Sequence, residues 1–240
     1  MEIIVDLCNQ HHGSLAELKR MSLNAWASGA DVVKVQLMDS VKFFGNTDKQ
    51  YRDIDYDTLL SLKQFCDLHG IPLMATAFDR ERLGWLKDLK FERHKIASRT
   101  VKEDPDLCEE ILKDDKPTII STGACAIGEF PFGHGDKITY LFCVSKYPTF
   151  LHDEDLKRMP DKFMRHGYYG YSDHTVGIAA PLKAYLNGAS ILEKHYSENV
   201  FAQSKFEGGH LGSFDSTTLK NFKDLIKELE ILNGRKQYGT

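Results

Sequence analysis

Two histidines stand at the ends of short apolar-to-polar runs that flank one helical pattern. The runs are Tyr171-Ser172-Asp173-His174-Thr175 and Ile191-Leu192-Glu193-Lys194-His195-Tyr196, and the helical pattern covers 176–186. A strand, a helix and a second strand of this kind form a parallel crossover unit. Such a unit would bring both imidazoles to the same end of neighbouring strands, with Asp173 and Glu193 beside them. This group could bind a divalent cation or transfer protons.

Two lysines interrupt other apolar runs, Lys34 in VVKVQ and Lys95 in HKIAS. A buried, unpaired ammonium group is costly to desolvate, so both side chains are expected to point to a polar centre. A structural ion pair with a carboxylate such as Asp6 remains the alternative. Hydroxyl, amide and phenol groups lie at the ends of several runs: Gln36, Thr76, Ser98, Ser121, Ser145, Tyr147 and Ser172. Two ammonium groups and the hydroxyls of Thr76, Ser98, Ser121 and Ser172 would form a cradle for a small phosphate and carboxylate.

The ligand type of the two histidines indicates which metals such a site would favour. Neutral imidazoles favour Mn, Fe, Co or Zn over Mg, and a site with two histidines leaves positions for water and substrate. His11 and His12 follow the first run and could line the mouth of a site. The remaining histidines fall in loops or at helix ends and are expected at the surface; they are His69, His134, His152, His166 and His210.

The elements that must position these groups alternate regularly along the chain. Eight apolar runs, most of which end in polar residues, are predicted as strands over 2–8, 30–37, 73–78, 94–98, 117–122, 138–145, 168–174 and 191–196. Helical patterns between and after them are predicted over 15–28, 56–69, 80–90, 106–113, 153–165, 176–186 and 215–232. Continuous apolar runs suit strands that are covered on both faces, as in parallel sheets.

This order predicts an α/β fold, a (β/α)8 TIM barrel that forms one domain over 1–240, with its reactive groups at the carboxyl ends of the strands. The segment 123–137 is rich in Gly, Phe and Pro, so the helix between the fifth and sixth strands is expected to be reduced to a turn. An open, doubly wound sheet is the competing fold, but no GxGxxG follows the first strand.

Composition narrows the classes of partner and compartment. The 240 residues include 31 basic and 35 acidic side chains, for a net charge of −4, which disfavours nucleic acid and anionic membranes. No apolar run is long enough to span a bilayer, and the N-terminus lacks the pattern of a signal peptide. The five cysteines form no CxxC, which is typical of reduced thiols in a cytoplasmic protein.

Taken together, the motifs resemble the sialic acid synthase family across nearly the whole chain. The matching residues are Asp6…His11-x-Gly13, Gly29-Ala30-Asp31-x-Val33-Lys34-x-Gln36, Thr76-x-Phe78-Asp79, Lys95-Ile96-Ala97-Ser98, Lys116-Pro117-x-Ile119-Ile120-Ser121-Thr122-Gly123, Cys143-Val144-Ser145-x-Tyr147-Pro148, Gly170-Tyr171-Ser172-Asp173-His174-Thr175-x-Gly177 and Gly188-Ala189-x-Ile191-Leu192-Glu193-Lys194-His195. The resemblance implies a (β/α)8 barrel that condenses phosphoenolpyruvate with an N-acylated amino sugar aldehyde and releases phosphate. It also implies a divalent cation, with Mn as the first expectation and Mg, Co, Fe or Zn as alternatives.

Carried across residue by residue, the resemblance assigns roles to the strand-end residues. His174 and His195 would bind the cation, and Asp6 takes the place of a glutamate at the reacting end of the sugar. Lys34, Lys95 and the hydroxyls named above would hold phosphoenolpyruvate. Ser145 and Tyr147 would line the same pocket, with Gln36, Asp173 and Glu193 as further substrate contacts.

Four features depart from the family pattern, and all four concern the part of the site where the resemblance places the aldehyde. The chain ends after the barrel, where typical members continue into an antifreeze-like domain. Thr100 stands where members carry Glu, Asp6 is shorter than the usual carboxylate, and 197–212 lacks the usual Pro-Gly-Pro-Asp run. The acceptor is therefore expected to differ from N-acetylmannosamine. A homodimer or a separate antifreeze-like chain could replace the missing domain.

Two alternatives remain open from the sequence. One is a metal-dependent aldolase or lyase that uses pyruvate, although pyruvate needs no phosphate cradle. The other is a catalytically inactive barrel that binds a sugar or a partner protein.

Overall fold

Eight parallel strands close into a barrel in the computed structural model, which describes residues 1–8, 10–203, 205 and 208–234. Each strand pairs with its sequence neighbours, and the last pairs with the first in the register Asp6↔His195. The strands are β1 Glu2–Asp6, β2 Val32–Leu37, β3 Leu73–Ala77, β4 His94–Ile96, β5 Thr118–Ser121, β6 Ile138–Cys143, β7 Gly170–Asp173 and β8 Ile191–His195. The predicted (β/α)8 barrel is confirmed, and the open doubly wound sheet is excluded.

The helices surround the barrel and follow the predicted order, except that, among the described residues, one predicted helix is absent and three short helices were not predicted. They are α1 Leu15–Ala27, α2 Ser40–Phe44, α3 Tyr56–His69, α4 Arg80–Asp88, α5 Ser98–Glu103, α6 Pro105–Leu112, α7 Ala179–Leu186, α8 Val200–Gln203 and α9 Ser216–Leu232. Side-chain caps begin several of them, for example Ser14 on α1, Asp79 on α4 and Asp215 on α9. None of the described helices combines the length and apolar character needed to cross a membrane.

Two connections lack a full α-helix. Residues 122–137, all described, form turns and bends, so the predicted loss of a helix between β5 and β6 is confirmed. The predicted helix over 153–165 is wrong, because the chain forms two short 3-10 helices there, Glu154–Arg158 and Met164–His166. Pro160 explains the break, since proline lacks an amide hydrogen and disfavours helical backbone at the residue before it. Met159 is accordingly extended, with φ −53° and ψ 129°.

Successive side chains of each strand point alternately to the outside and to the inside of the barrel. The outer face is apolar, and the interior has an apolar layer with a second layer above it. The outward side chains pack against the helices in one large core, whereas a small apolar cluster fills the bottom of the barrel; it consists of Ile4, Val32, Met74, Ile119 and Leu141, with Ile191 packed against it. Successive side chains on one face are two residues apart. The level above this cluster therefore holds the residues two positions further on, which are the polar Asp6, Lys34, Thr76, Ser121 and Glu193 and the thiol of Cys143.

Gly170 is required by the close approach of β7 to β8. A Cβ atom at this position would lie 2.2 Å from the carbonyl oxygen of Ile191. We expect Gly170→Ala to lower the free energy of unfolding by about 3 kcal/mol or more, because backbone atoms must move to relieve the clash. Gly84→Ala is the matched control: nothing lies within 4 Å of its Cβ position in α4, so it should raise stability by up to about 1 kcal/mol. Denaturant unfolding of both variants measures the difference, and equal stabilities would contradict the packing described here.

Candidate active site

A polar cavity of about 410 Å³, including its opening to solvent, lies at the carboxyl ends of the strands. It is lined by thirteen of the fourteen residues predicted from the sequence: Asp6, Lys34, Gln36, Thr76, Lys95, Ser98, Ser121, Tyr147, Ser172, Asp173, His174, Glu193 and His195. The fourteenth, Ser145, is exposed and lines a neighbouring cavity with Thr122 and Gly123. β6 ends at Cys143, two residues earlier than predicted, so Ser145 lies beyond the strand.

Lys34 faces this cavity between two carboxylates. Its Nζ lies 2.5 Å from Asp6 Oδ2 and 3.3 Å from Glu193 Oε1, and it donates to Thr76 Oγ1 at 3.2 Å. Burial alone would lower the pKa of Lys34, but the two carboxylates raise it above its usual value. Burial would likewise raise the pKa of Asp6, yet Lys34 and His195 hold it at about 2. Lys34 therefore both points into the cavity and forms an ion pair with Asp6, two possibilities that the sequence had left as alternatives.

Lys95 occupies the next polar position around the barrel. Its Nζ donates to Ser121 Oγ and to the Ile96 carbonyl, both at 2.8 Å, and lies 3.5 Å from Glu193 Oε2. Burial lowers the pKa of Lys95, and Glu193 opposes that shift only in part. Lys95 is thus held less tightly by carboxylates than Lys34 is.

Glu193 joins the two lysines from β8. Its Oε2 accepts from Ser172 Oγ at 2.9 Å and lies 3.5 Å from Ser121 Oγ. Burial would raise its pKa, but Lys95 and Lys34 together lower it. Two ammonium groups and two carboxylates therefore balance in charge at the base of the cavity. An anion that entered here would compete with Glu193 for the lysines and serines.

His174 and His195 lie at the rim, with ring centroids 5.3 Å apart and planes at 70°. Tyr147 packs against both, at 4.2 Å from His174 and 5.9 Å from His195. The Nδ1 atom of His174 lies 2.9 Å from the Val144 carbonyl, which requires Nδ1–H as the donor and leaves Nε2 for another ligand. The two imidazoles lie at equivalent strand ends, as the sequence predicted.

The pKa values of the two rings are shifted in opposite directions. Burial lowers the pKa of His195 to about 3, so this ring is neutral and suited to bind a cation. Burial also lowers the pKa of His174, but Cys143 and the Val144 carbonyl outweigh that effect and raise it. The donor set is compatible with a divalent ion.

Asp173 lies at the cavity wall, but its carboxylate already has partners. It accepts a short hydrogen bond from Lys194, and its Oδ1 accepts from the Thr175 amide at 2.9 Å. Lys194 also donates to the Thr175 carbonyl at 2.6 Å and lies 5.3 Å from the centre of the Phe214 ring. This pair fixes the end of β7, immediately before His174.

We expect Lys194→Met to lower the free energy of unfolding by about 3–5 kcal/mol, because it leaves the Asp173 carboxylate buried and unpaired. The side chains of this pair are only 1% and 0% exposed. Lys146→Met is the control: Lys146 pairs with Asp153 and Asp155 but is 48% exposed, so its loss should change stability by less than about 1 kcal/mol. Denaturant unfolding distinguishes the two, and similar small losses would show that the buried pair is dispensable.

A second cavity of about 890 Å³, including open space, adjoins the first and shares Gln36, Phe78, Ser98, Tyr147 and His195 with it. Its own lining combines apolar side chains with arginines and a histidine: Met38, Phe43, Phe44, Arg52, Arg99 and His210. Arg99 lies over the Phe43 ring at 3.9 Å, and Arg52 over the Phe44 ring at 5.2 Å. This second cavity is larger than the polar cavity that it adjoins.

Two residues of the second cavity were not predicted to lie there. His210 was expected at the surface, but this is wrong, because it is 6% exposed and lines the second cavity. Cys8 is buried beside it after β1. His11 and His12, which could have lined the mouth of the site, line neither of these two cavities. His11 is completely buried and its Nδ1 accepts from the Gly13 amide at 3.0 Å, whereas His12 is exposed. Sequence periodicity does not indicate which loop side chains turn inward.

Comparison with known proteins supports the same assignment as the motifs. A family model described as the NeuB family matches residues 22–238. The chain is 30% identical to N,N'-diacetyllegionaminic acid synthase of Legionella pneumophila over 97% of this chain and 73% of that protein. It is 29% identical to pseudaminic acid synthase of Campylobacter jejuni over 95% of this chain and 73% of that protein.

A solved structure gives the same result. The N-acetylneuraminic acid (sialic acid) synthetase of Leptospira borgpetersenii superposes with a TM-score of 0.84 at 25% identity, covering 99% of this chain and 86% of that one. With its closed barrel, the polar groups at its strand ends and the matching family model, the chain belongs to the NeuB family.

Proposed function

We propose that this chain is a synthase that condenses phosphoenolpyruvate with an aldehyde and releases phosphate, forming a 3-deoxy-2-keto sugar acid of the sialic acid type. One observation carries the proposal: Lys34 and Lys95 both point into a hydroxyl-lined cavity whose rim holds His174 and His195. Membership of the NeuB family and the names of the relatives agree with it.

The base of the cavity would hold phosphoenolpyruvate. Lys95 Nζ donates a hydrogen bond to Ser121 Oγ, so an ammonium group and a hydroxyl already lie side by side. Ser172 and Thr76 contribute further hydroxyls. Phosphate and carboxylate oxygens would take over the contacts that Glu193 now makes with Lys95 and Ser172. The lysines would then stabilise the negative charge on the departing phosphate, an electrostatic effect that is among the largest in catalysis.

The rim would hold the aldehyde next to the enol. His174 and His195 would bind a divalent cation, with Mn as the first expectation; when bound, such an ion supplies Lewis acidity toward the aldehyde oxygen. The C3 atom of phosphoenolpyruvate would then form a bond to the aldehyde carbon, water would add to C2, and the resulting adduct would release phosphate to leave a keto group. Asp6 Oδ2 accepts from Gln36 Nε2 at 2.8 Å, and this pair would orient the water or accept its proton.

The adjoining cavity is the proposed location of the rest of the acceptor. Its aromatic and arginine lining fits a polar molecule that also carries apolar substituents, such as acyl groups. Thr100, which stands in place of the family's glutamate, is buried in α5. The segment 197–212, which departs from the family pattern, contributes His210 to this cavity. The acceptor therefore need not be N-acetylmannosamine; another amino sugar or a smaller aldehyde fits the proposal.

The test is phosphate release from phosphoenolpyruvate with Mn across a panel of sugar and simple aldehydes. We expect release only when an aldehyde is present, together with a product whose mass equals the aldehyde plus pyruvic acid. Pyruvate in place of phosphoenolpyruvate should give no product. Turnover with pyruvate would identify an aldolase, and no turnover with any aldehyde would favour an inactive binding barrel.

A further inference from the structure

A thiol and a second imidazole, neither of which was predicted to bind metal, lie next to His195. Cys8 follows β1, and His210 lies in the 3-10 helix Gly208–Gly212. The Cys8 sulfur and one ring nitrogen each from His195 and His210 all lie within 4.8 Å of one another. Within the described part of the chain, this is the one group of three or more His, Cys, Asp or Glu side chains with such spacing.

The spacing is close to that of a bound ion. Zinc lies about 2.0–2.1 Å from imidazole nitrogen and about 2.3 Å from thiolate sulfur, so ligand atoms in a tetrahedral site are about 3.5 Å apart. Small rotations of the Cys8 and His210 side chains would close a difference of about 1 Å. Both side chains are buried, at 5% and 6% exposed, which limits competition from solvent.

Backbone contacts hold the two added residues in place. Asp6 Oδ1 accepts from the Cys8 amide at 2.7 Å, which fixes the turn after β1. The Phe214 amide donates to the His195 carbonyl at 2.7 Å, and the Ser213 amide donates to the His210 carbonyl at 3.0 Å. These hydrogen bonds therefore hold the chain around His210 next to the end of β8. The proximity of the three side chains is built into the fold.

We propose that Cys8 and His210 bind a divalent cation together with His195. The thiol would lose its proton to solvent on binding, as coordinating thiols do. A thiolate among the ligands favours Zn, Fe(II) or Co(II) over Mg and Mn, which changes the metal expected from the histidine pair alone. This inference does not depend on the proposed condensation, because cation binding is measured without substrate.

The test is titration of the chelator-treated protein with Co(II), followed by absorption spectroscopy. A cysteine thiolate bound to Co(II) gives a near-ultraviolet charge-transfer band, and we expect this band in the unmodified protein. Cys8→Ser should abolish it, and His210→Ala should weaken Co(II) binding by about 100-fold or more. Cys125→Ser, which changes a half-buried thiol far from these ligands in sequence, should leave both unchanged.

Two outcomes would overturn the proposal. One is the absence of the charge-transfer band in the unmodified protein, a result that requires no variant to fold. The other is a band that persists in Cys8→Ser but disappears in Cys143→Ser, which would place the thiolate beside His174, where the Cys143 sulfur lies 3.9 Å from Nδ1. Circular dichroism of each variant confirms that it is folded before binding is compared. Failure of the condensation assay would leave this result untouched.

Discussion

Replacing Lys95 by methionine should lower kcat/KM for phosphate release by about 100- to 1,000-fold, the effect of removing one preorganised donor to a developing negative charge. Lys95 is the better test of the two lysines because Glu193, its carboxylate partner, keeps Lys34 at 3.3 Å in the variant. Lys34→Met would instead leave Asp6 buried without its ammonium partner and would reduce stability as well.

Steady-state measurement of phosphate release at varied phosphoenolpyruvate tests this expectation. Lys87→Met is the matched control, since Lys87 is 42% exposed and pairs with Asp114 away from the cavity. It should retain the kinetics of the unmodified protein. A Lys95→Met variant that is folded and equally active would show that the phosphate does not bind at this position.

His195→Ala should have the other large effect, with loss of the bound cation and a fall in turnover of about 1,000-fold or more. The expected size follows from the several kcal/mol that a cation supplies to a polarised carbonyl, at 1.36 kcal/mol for each factor of ten in rate. His195 lies next to His174, and it belongs to the group with Cys8 and His210. Its removal therefore affects both proposed parts of the cation site.

Metal analysis of the purified variant gives a readout that is independent of activity. His152→Ala is the control, because His152 is exposed and stacks on Phe150 at 5.7 Å. It should keep the cation content and the turnover of the unmodified protein. Retention of both by His195→Ala would remove the cation from the proposed mechanism.

The barrel and most of its site could be predicted because parallel strands impose a simple rule. Apolar runs mark the strands, and the residue two positions beyond an inward apolar residue also points inward. This rule places Lys34 above Val32, Ser121 above Ile119 and Glu193 above Ile191, as the structure confirms.

The wrong predictions concern segments in which the local sequence pattern does not determine the secondary structure. The segment 153–165 has helical periodicity, but Pro160 interrupts it, and this signal was present in the sequence. Ser145 was placed at a strand end because the apolar run continues to Val144, whereas β6 pairs only to Cys143. α5 was missed because its N-cap, Ala97, makes no side-chain capping hydrogen bond.

The placement of Cys8 and His210 depends on tertiary structure. They are far apart in sequence and meet because β1 pairs with β8 and the chain after β8 returns over the end of the barrel. No periodicity links a turn cysteine to a loop histidine. The strand-end positions and the family resemblance both pointed to His174 and His195, whereas the additional donors became apparent only from the structure.

Calorimetric titration of the protein with phosphoenolpyruvate and with pyruvate, each in the presence of Mn, is the most direct measurement of whether the cavity is an enol phosphate site. Phosphoenolpyruvate should bind at least about ten times more tightly than pyruvate, since a charge-assisted hydrogen bond contributes about 1.5–3 kcal/mol. That advantage should become smaller in Lys95→Met, which retains Lys34. Equal affinity for the two ligands, or an unchanged preference in the variant, would contradict the assignment of Lys34 and Lys95 as the phosphate-binding groups.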